Sequence, residues 1–229
     1  MKINNLLGFY ATTIYLPISE LGRVFRGYSR KIRGKKNNFV QDTKLTKISH
    51  KQCIDNLSPA IYESEKSNGN VRISELAILC AMANKYSKED GIVLEIGTFD
   101  GRTTLNLAFN SHNKTTIHTL DLPKDHDTKY EIANGESHMI NKKYSGERYE
   151  KYANKYPDIV SKIKQHYGDS ATFDFSPFYN SADMMFIDGS HAYEYAISDT
   201  EVAMRVIKEG GVIIWHDYGI WSGVTKALE

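Results

Sequence analysis

The order of apolar and polar residues between positions 74 and 217 predicts helices and strands in alternation. Apolar side chains at helical spacing follow Ser74, the predicted N-cap, and stop at Gly91. Two further helical stretches cover residues 102–109 and 192–208, the second closed by a pair of glycines. Strands are predicted over residues 92–96, 116–122, 161–167, 182–187 and 212–215, of which 92–96 is a continuous apolar run and 182–187 is predicted to be buried. This alternation predicts an α/β fold with a doubly wound, Rossmann-like, mostly parallel sheet.

The stretch from about residue 123 to residue 160 is polar and rich in tyrosine, unlike its neighbours. It predicts one or two helices in an insert that closes as a lid over a ligand bound beside the preceding strand. The alternative is an ordinary pair of surface helices. Only twelve positions follow Asp217. We therefore expect the strands that normally finish such a sheet to be absent from this chain.

Residues 1–44 differ from the rest in charge and predict a basic helical arm with a linker, whereas residues 45–229 predict the folded domain. The net charge is +7 over residues 1–36 and −6 over residues 37–229. Pro17 to Glu20 predict a helix start and stand where a signal peptide would need small residues. Two interpretations of the arm stay open. It packs on its own domain or on a second copy of the chain, or it lies on an anionic membrane surface.

Composition narrows the class of protein. Of the 229 residues, 41% are hydrophobic and 25% are charged, as in ordinary globular proteins. The longest apolar stretch, residues 6–18, is too short to cross a bilayer. Two cysteines, Cys53 and Cys80, are too few for a disulfide framework, which favours a cytoplasmic location. The acidic body argues against nucleic acid as a partner.

The residues from Glu95 to Gly101 form the first candidate site, because they lie where a predicted strand passes into a helix. Gly97 permits a tight turn and the close approach of a ligand. Gly101 opens a helix whose free N–H groups can meet a negative group, and Glu95 can accept a hydrogen bond. Asp121, at the end of the next strand, stands where an acid typically holds ribose hydroxyls. These features predict a nucleotide-binding turn; the alternative is that the glycines only permit a sharp bend and the acid caps a loop.

Two later strands end in groups of polar residues. Asp188 and His191 follow one strand, and His216 and Asp217 follow the next. Neighbouring strands lie about 4.8 Å apart, so both carboxylates can reach one ion. Asp188 and Asp217, with His216, therefore predict a site for a magnesium-like cation, and His191 is the candidate base for a hydroxyl proton. Alternatively, Asp188 caps the following helix and His216 is a core histidine.

Residues 93–104 resemble the first motif of the class I S-adenosylmethionine-dependent methyltransferases, which has the pattern E-x-G-x-x-x-G, whereas nicotinamide-binding turns use G-x-G-x-x-G. The resemblance covers residues 74–227 and is weakest in the insert. It implies S-adenosylmethionine as cofactor. The positions that it implies for binding, from the methionine end to the adenine, are Glu95, Gly97, Thr98, Gly101, Thr103 or Thr104, Asp121, Asp169 and Ser170.

The sequences D-G-S-H at 188–191 and H-D-Y at 216–218 are similar to motifs of the small-molecule O-methyltransferases that modify sugars and macrolide-type natural products, including rhamnosyl enzymes. This resemblance implies that Asp188 and Asp217 bind a divalent metal, expected to be Mg²⁺, and that His191 and Asp188 are catalytic. His216 departs from it, since some relatives carry a carboxylate there.

The sequence therefore predicts an S-adenosylmethionine-dependent O-methyltransferase for a hydroxyl of a sugar or a glycosylated small molecule. Two alternatives stay open. One keeps the cofactor and takes a catechol-like phenol as acceptor. The other is a catalytically inactive, cofactor-binding module that scaffolds a pathway through the basic arm.

Overall fold

A parallel β-sheet forms the centre of the protein. The structure is a computed structural model, and it describes residues 3–15, 17–18, 21–22, 25, 28–29, 32–33, 43–53, 59–140 and 144–229. The strands are β1 (Ile92–Ile96), β2 (Thr116–Asp121), β3 (Ile163–Tyr167), β4 (Ala182–Ile187) and β5 (Ile207–Trp215). Their order is β3-β2-β1-β4-β5, and all the pairs are parallel. The carboxyl ends of β1 and β4 are adjacent where the strand order reverses, which is where ligands bind in open α/β sheets.

Helices cover both faces of the sheet, so the predicted doubly wound α/β fold is confirmed. The helices are α1 (Ile3–Phe9), a π-helical segment (Tyr10–Tyr15), α2 (His50–Cys53), α3 (Ile73–Tyr86), α4 (Arg102–Asn110), α5 (Ser137–Ile140), α6 (Glu147–Glu150), α7 (Pro157–Val160), a 3₁₀ turn (Ser176–Phe178), α8 (Tyr193–Val206) and α9 (Ser222–Leu228).

Alternate residues of β1 enter two separate apolar cores. Val93 packs with residues of α3 and α4 on one face, whereas Leu94 and Ile96 pack with residues of α8 on the other. This alternation follows from the two-residue period of a strand. It also explains the continuous apolar run in the sequence, because both faces of β1 are covered.

Two predicted boundaries are wrong. Helix α3 begins at Ile73 with Arg72 as its N-cap, so Ser74 lies inside the helix. Helix α8 ends at Val206, and β5 begins at Ile207 rather than at residue 212. The pairing of β5 with β4 contains a bulge, since Ala182 pairs with Ile207 and Met184 with Val212. The glycines at 210 and 211 therefore lie within the strand.

The insert between β2 and β3 contains three one-turn helices in its described part, α5, α6 and α7, where one or two helices were predicted. Its second half is fixed to the residues that follow β1. The N–H of Gly146 donates to the carbonyl of Phe99 at 3.0 Å, and that of Arg148 donates to the carbonyl of Asp100 at 2.9 Å. The Arg148 guanidinium forms an ion pair with the Asp100 carboxylate, with Nε 2.9 Å from Oδ2.

The beginning of the arm packs on the domain. Ala11 is fully buried, and the N–H of Ile61 donates to the carbonyl of Asn4 at 3.0 Å. Further along, the described residues at 17–18, 21–22, 25, 28–29 and 32 are helical. The predicted linker lies outside the described residues apart from its last two positions. No helix among the described residues has the length and apolar character required to cross a membrane.

Candidate active site

A cavity of about 370 Å³ opens at the carboxyl ends of the strands, where the fold predicts a ligand site. Hydrogen bonds beyond the strand ends hold its floor together. The N–H of Gly97 donates to the carbonyl of Leu120 at 2.9 Å, and the N–H of Asp188 donates to the carbonyl of Ile96 at 2.9 Å. The predicted residues that line this cavity are Gly97, Asp121, Asp169, Ser170, Asp188, His191, His216 and Asp217.

Gly97 is the point at which the loops after β1 and β4 touch. Its φ is +98°, and a Cβ on it would overlap the carbonyl oxygen of Asp188. Only glycine fits this position, because any side chain would push the two loops apart. The bend after β1 therefore positions the backbone of the polar loop after β4.

Four predicted cofactor residues do not line the cavity: Glu95, Thr98, Gly101 and Thr103, all of them buried. Gly101 has a φ of +84°, and a Cβ on it would lie 2.6 Å from Cδ1 of Tyr149. Its small size therefore makes room for the insert. A contact of these four with a cofactor stays a prediction.

Glu95 is a fully buried carboxyl group. Its Oε2 accepts hydrogen bonds from Thr104 Oγ1 at 2.5 Å and from Thr119 Oγ1 at 2.7 Å. Its Oε1 has no hydrogen-bond partner among the described residues. Burial raises the pKa of Glu95 to about 8, and the hydroxyl donors offset that only in part.

Asp121 and Asp169 line the part of the cavity beside β2 and β3. Asp121 Oδ2 accepts a hydrogen bond from Ser145 Oγ at 2.5 Å, so a residue of the insert orients this carboxylate. Asp169 accepts two backbone bonds, from the N–H of Lys129 at 2.7 Å and from that of Ala171 at 2.9 Å. Both acids are therefore fixed in position.

Asp188, His191 and Asp217 come together at the opposite wall. One ligand atom from each lies within 4.8 Å of the other two. His191 Nε2 lies 2.7 Å from Asp217 Oδ2. His216 Nδ1 is 2.9 Å from Asp188 Oδ1 and 3.2 Å from Asp217 Oδ2. The structure thus brings both predicted aspartates together with both histidines, and which imidazole would bind an ion with them stays a prediction.

The charges in this cluster stabilise one another. Burial acts to lower the pKa of His191, but hydrogen bonds to Asp217 and Glu136 outweigh it and raise this pKa to about 9. The pKa of His216 is raised in the same way, to about 12, because its hydrogen bonds to Asp188, Asp217 and Glu75 outweigh the effect of burial. Burial acts to raise the pKa of Asp217, and its hydrogen bonds to the two histidines lower it well below its usual value.

Three residues of the site were missed by the sequence analysis. Glu136, in the insert, bonds both the backbone N–H and the Nδ1 of His191, while its Oε2 accepts from Ser190 Oγ at 2.9 Å. Glu75, on α3, lies with Oε2 3.4 Å from His216 Nε2. Tyr195, on α8, lines the cavity. No motif marks these residues, because each reaches the site from a different element.

Comparison with known proteins gives the family. A family model described as a methyltransferase domain matches residues 94–218, which run from within β1 to just beyond β5 and include every site residue predicted from the sequence. The chain belongs to this family.

One curated relative of this methyltransferase-domain protein is the uncharacterized protein R132 of Acanthamoeba polyphaga mimivirus. The two are 30% identical over 162 residues, which cover 69% of this chain and 66% of the relative. The chain therefore spans slightly less than two thirds of that protein's length.

Solved structures with a similar fold include cofactor-bound Rv0187 from MTB, with a TM-score of 0.44 and 20% identity over 66% of this chain and 59% of that one. Another is the O-methyltransferase TomG from Streptomyces achromogenes, involved in tomaymycin synthesis, in complex with SAM, with a TM-score of 0.44 and 16% identity over 69% of this chain and 66% of that one. A third is an O-methyltransferase from Bacillus cereus in complex with SAH, with a TM-score of 0.45 and 16% identity over 71% of this chain and 68% of that one.

The cavity of this methyltransferase-domain protein fits a nucleoside cofactor. Its volume of about 370 Å³ falls within the roughly 300–1,000 Å³ of small-molecule sites. Carboxylates at Asp121 and Asp169 can accept hydrogen bonds from hydroxyl and amino groups, and Ile96 and Leu120 offer apolar contact.

The donor set at the opposite wall fits a divalent cation. Asp188 and Asp217 supply carboxylate oxygens and His191 an imidazole nitrogen. Carboxylates suit Mg²⁺ and Mn²⁺, whereas an imidazole is the better ligand for Mn²⁺, Fe²⁺ or Zn²⁺. The geometry therefore fits a cation of this kind without selecting Mg²⁺.

Proposed function

We propose that this protein is an S-adenosylmethionine-dependent O-methyltransferase that acts on a hydroxyl of a sugar or a glycosylated small molecule, assisted by a divalent cation. One observation carries the proposal: a single cavity has acceptors for a nucleoside at Asp121 and Asp169 and the cluster of Asp188, His191 and Asp217 at its opposite wall. A reagent held at one side would thus face proton-accepting and ion-binding groups at the other.

The residues on the β2 and β3 side bind and orient the cofactor in this proposal. Asp121 bonds the ribose hydroxyls, in place of its present bond to Ser145, and Asp169 and Ser170 lie at the adenine. When bound, S-adenosylmethionine supplies a methyl group on a positively charged sulfur. The chain itself contributes alignment, which alone can remove a large share of the barrier to a displacement at carbon.

His191 takes the proton of the acceptor hydroxyl. Glu136 occupies its Nδ1, so Nε2 is the atom that receives the proton. Nε2 lies 2.7 Å from Asp217 Oδ2 and carries a proton in that bond. His191 must therefore lose this proton to solvent, and the bond must open, before Nε2 can take the proton of the acceptor hydroxyl. A cation held by Asp188 and Asp217 would stabilise the developing oxygen anion.

The aromatic surroundings of His191 support a sugar as acceptor. The ring of Trp221 stacks on the imidazole, with centroids 4.4 Å apart. A shallow neighbouring cavity of about 340 Å³ shares His191 and Trp221 with the main one and is also lined by Asn134, Tyr193 and Lys226. Flat aromatic faces with amide and ammonium donors suit the apolar faces and hydroxyls of a sugar ring.

The test is transfer of labelled methyl groups from S-adenosylmethionine to cell extracts and to a panel of glycosides and catechols, with and without a chelator. The proposal requires labelled product from a sugar hydroxyl, less product after chelation, and recovery with added Mg²⁺ or Mn²⁺. Labelling of catechols alone would establish the phenol acceptor instead. Binding of S-adenosylhomocysteine without any labelled product would establish an inactive cofactor-binding module.

A further inference from the structure

We propose that the basic arm docks on the surface of an anionic lipid bilayer. The observation behind this is a row of apolar side chains that the domain leaves uncovered: Ile18, Leu21, Phe25, Tyr28 and Ile32 are 60% to 71% exposed. From Leu21 onward they recur three or four positions apart, which places them along one side of a helix. The described residues in this stretch are helical.

The charge of the arm complements an anionic surface. Residues 1–36 carry a net charge of +7. Arginines at 23, 26, 30 and 33 also recur three or four positions apart, each one or two positions after an apolar residue. One and two positions correspond to about 100° and 200° around a helix, so the sequence predicts a basic row on the side of the helix away from the apolar row. A helix of this composition lies in the membrane interface, with its apolar row among the lipid chains and its cations at the phosphates.

Other occupants fit this row less well. Outside residues 1–36, the large exposed apolar side chains of the described chain are scattered, with no more than two on any one element or segment: Leu45, Ile48, Tyr144, Tyr167, Tyr179, Tyr193, Met204 and Ile220. They offer no apolar row to pair with on the domain or on a second copy. Two arms packed against each other would bring charges of +7 and +7 together.

The arm is attached to the domain at its beginning, so docking would hold the whole domain at the surface. The side chain of Leu7 packs against the core that contains α3 and α4, and Ala11 is fully buried. A Cβ on Gly8 would overlap the carbonyl oxygen of Pro59, so α1 is in backbone contact with the domain. The exposed row therefore begins seven positions after the buried Ala11.

The test is flotation of the full chain with vesicles of phosphatidylcholine alone or with about 30% phosphatidylglycerol. We expect the protein to float with the anionic vesicles only, and to be released when about 1 M salt shortens the screening length. Phe25→Glu combined with Ile32→Glu should lower binding by about tenfold or more, since both apolar anchors are lost. Arg26→Ser combined with Arg30→Ser should also lower it, because the attraction weakens while the apolar row stays intact.

The control is Leu45→Glu combined with Met204→Glu, which places the same charges at exposed apolar positions outside the arm. It should bind vesicles like the wild type, and all variants should share its melting temperature. Equal flotation of the Phe25 and Ile32 double variant and the control would overturn the proposal. A wild type that does not float with anionic vesicles would also overturn it. If that wild type sediments as a dimer, and the Phe25 and Ile32 double variant as a monomer, the apolar row belongs to an interface with a second copy. Neither readout depends on methyl transfer.

Discussion

Glu136 holds His191 at two points, because its Oε1 bonds both the backbone N–H and the ring Nδ1 of that residue. The carboxylate is buried, with 3% of its surface exposed, and its second oxygen accepts bonds from Ser190 Oγ and from the N–H of Ala133. Glu136 thus sets the direction of the imidazole and connects the insert to the loop after β4. It is a positioning residue for the proposed base.

Replacing Glu136 by Gln should slow methyl transfer while leaving cofactor binding close to that of the wild type. An amide cannot stabilise the imidazole in the same way, and loss of a partner that orients a functional histidine typically costs about 10–100-fold in activity. The measurement is kcat together with the KM for S-adenosylmethionine. Glu131→Gln, on an exposed residue of the same insert, is the control and should leave both constants unchanged. An unchanged kcat in the Glu136 variant would remove its positioning role.

Asp121→Ala and Asp188→Ala should separate cofactor binding from turnover. Loss of a carboxylate that bonds two hydroxyls should raise the Kd for S-adenosylhomocysteine by about 10–100-fold. Asp188→Ala should leave that Kd within about twofold of the wild-type value, because a tenfold change would require loss of a whole interaction. The same variant should abolish methyl transfer. Calorimetry and labelled transfer measure the two effects. Equal loss of cofactor affinity in both variants would contradict the division of roles.

Mn²⁺ should bind to Asp188 and Asp217, and loss of the free-ion signal in electron paramagnetic resonance measures this binding. Asp217→Asn should abolish it, because a neutral amide is a poorer ligand than a carboxylate. His191→Gln should leave binding within about twofold, because its Nε2 takes the proton in the proposed reaction, whereas His216→Gln should weaken binding about tenfold. A greater loss in the His191 variant would make that imidazole a ligand and remove it as the base. If the wild-type protein does not bind Mn²⁺, the divalent cation has no part in the proposed reaction.

Stability should fall as the pH rises because of Glu95. Its pKa is about 8 in the folded protein, whereas an exposed glutamate has a pKa of 4.5. The folded state therefore binds the proton of Glu95 more tightly than the unfolded state does. This difference stabilises the fold fully below pH 4.5, and the stabilisation is lost as the pH rises to 8. Glu95→Gln cannot ionise, so at pH 8 it should be more stable than the wild type by about 3 to 4 kcal/mol, and at pH 5 similar to it.

Chemical denaturation at both pH values measures this difference. Glu201→Gln, at an exposed position of α8, should show the same pH dependence as the wild type. If wild type and Glu95→Gln differ by the same amount at pH 5 and pH 8, Glu95 does not change its protonation on unfolding in this range.

Gly97→Ala should destabilise the fold more than Gly210→Ala. Both glycines have positive φ, +98° and +78°, so alanine strains the backbone at each by about 1 kcal/mol. A Cβ at 97 also meets the carbonyl of Asp188, whereas nothing lies within 4 Å of one at 210. The extra clash should cost about 2 kcal/mol more. Melting curves test the order of the two variants, and equal losses would show that the loops after β1 and β4 separate without cost.

The parts of the site that sequence reasoning found share one property: each follows the end of a strand. Asp121 is the last residue of β2, Asp188 directly follows β4, and Asp217 lies two positions after β5. Parallel strands end at a common edge of the sheet. Topology alone therefore brings these carboxylates together. The fold was predictable for the same reason, since the order of runs and helical stretches specifies a doubly wound sheet.

The parts that sequence reasoning missed depend on tertiary contacts. Glu136 lies in a polar segment without periodicity, and Glu75 reaches His216 from a helix on one face of the sheet. Which histidine would bind an ion with the aspartates depends on side-chain direction, since the ring nitrogens of His191 and of His216 all contact carboxylates. The start of β5 was misplaced because Val206 and Ile207 continue the helical spacing, while pairing with β4 extends the strand back through the two glycines.

The way in which the insert is attached has a consequence for protein engineering. Arg148 reaches past Asp100 to the carbonyl of Glu65 at 2.6 Å, and Tyr152 OH donates to Glu63 Oε1 at 2.5 Å. Grafting the insert alone into another scaffold would leave these groups without their acceptors. A chimera that aims to alter acceptor choice must carry residues 63–67 and 99–101 together with the insert, since these three pieces form one transplantable unit.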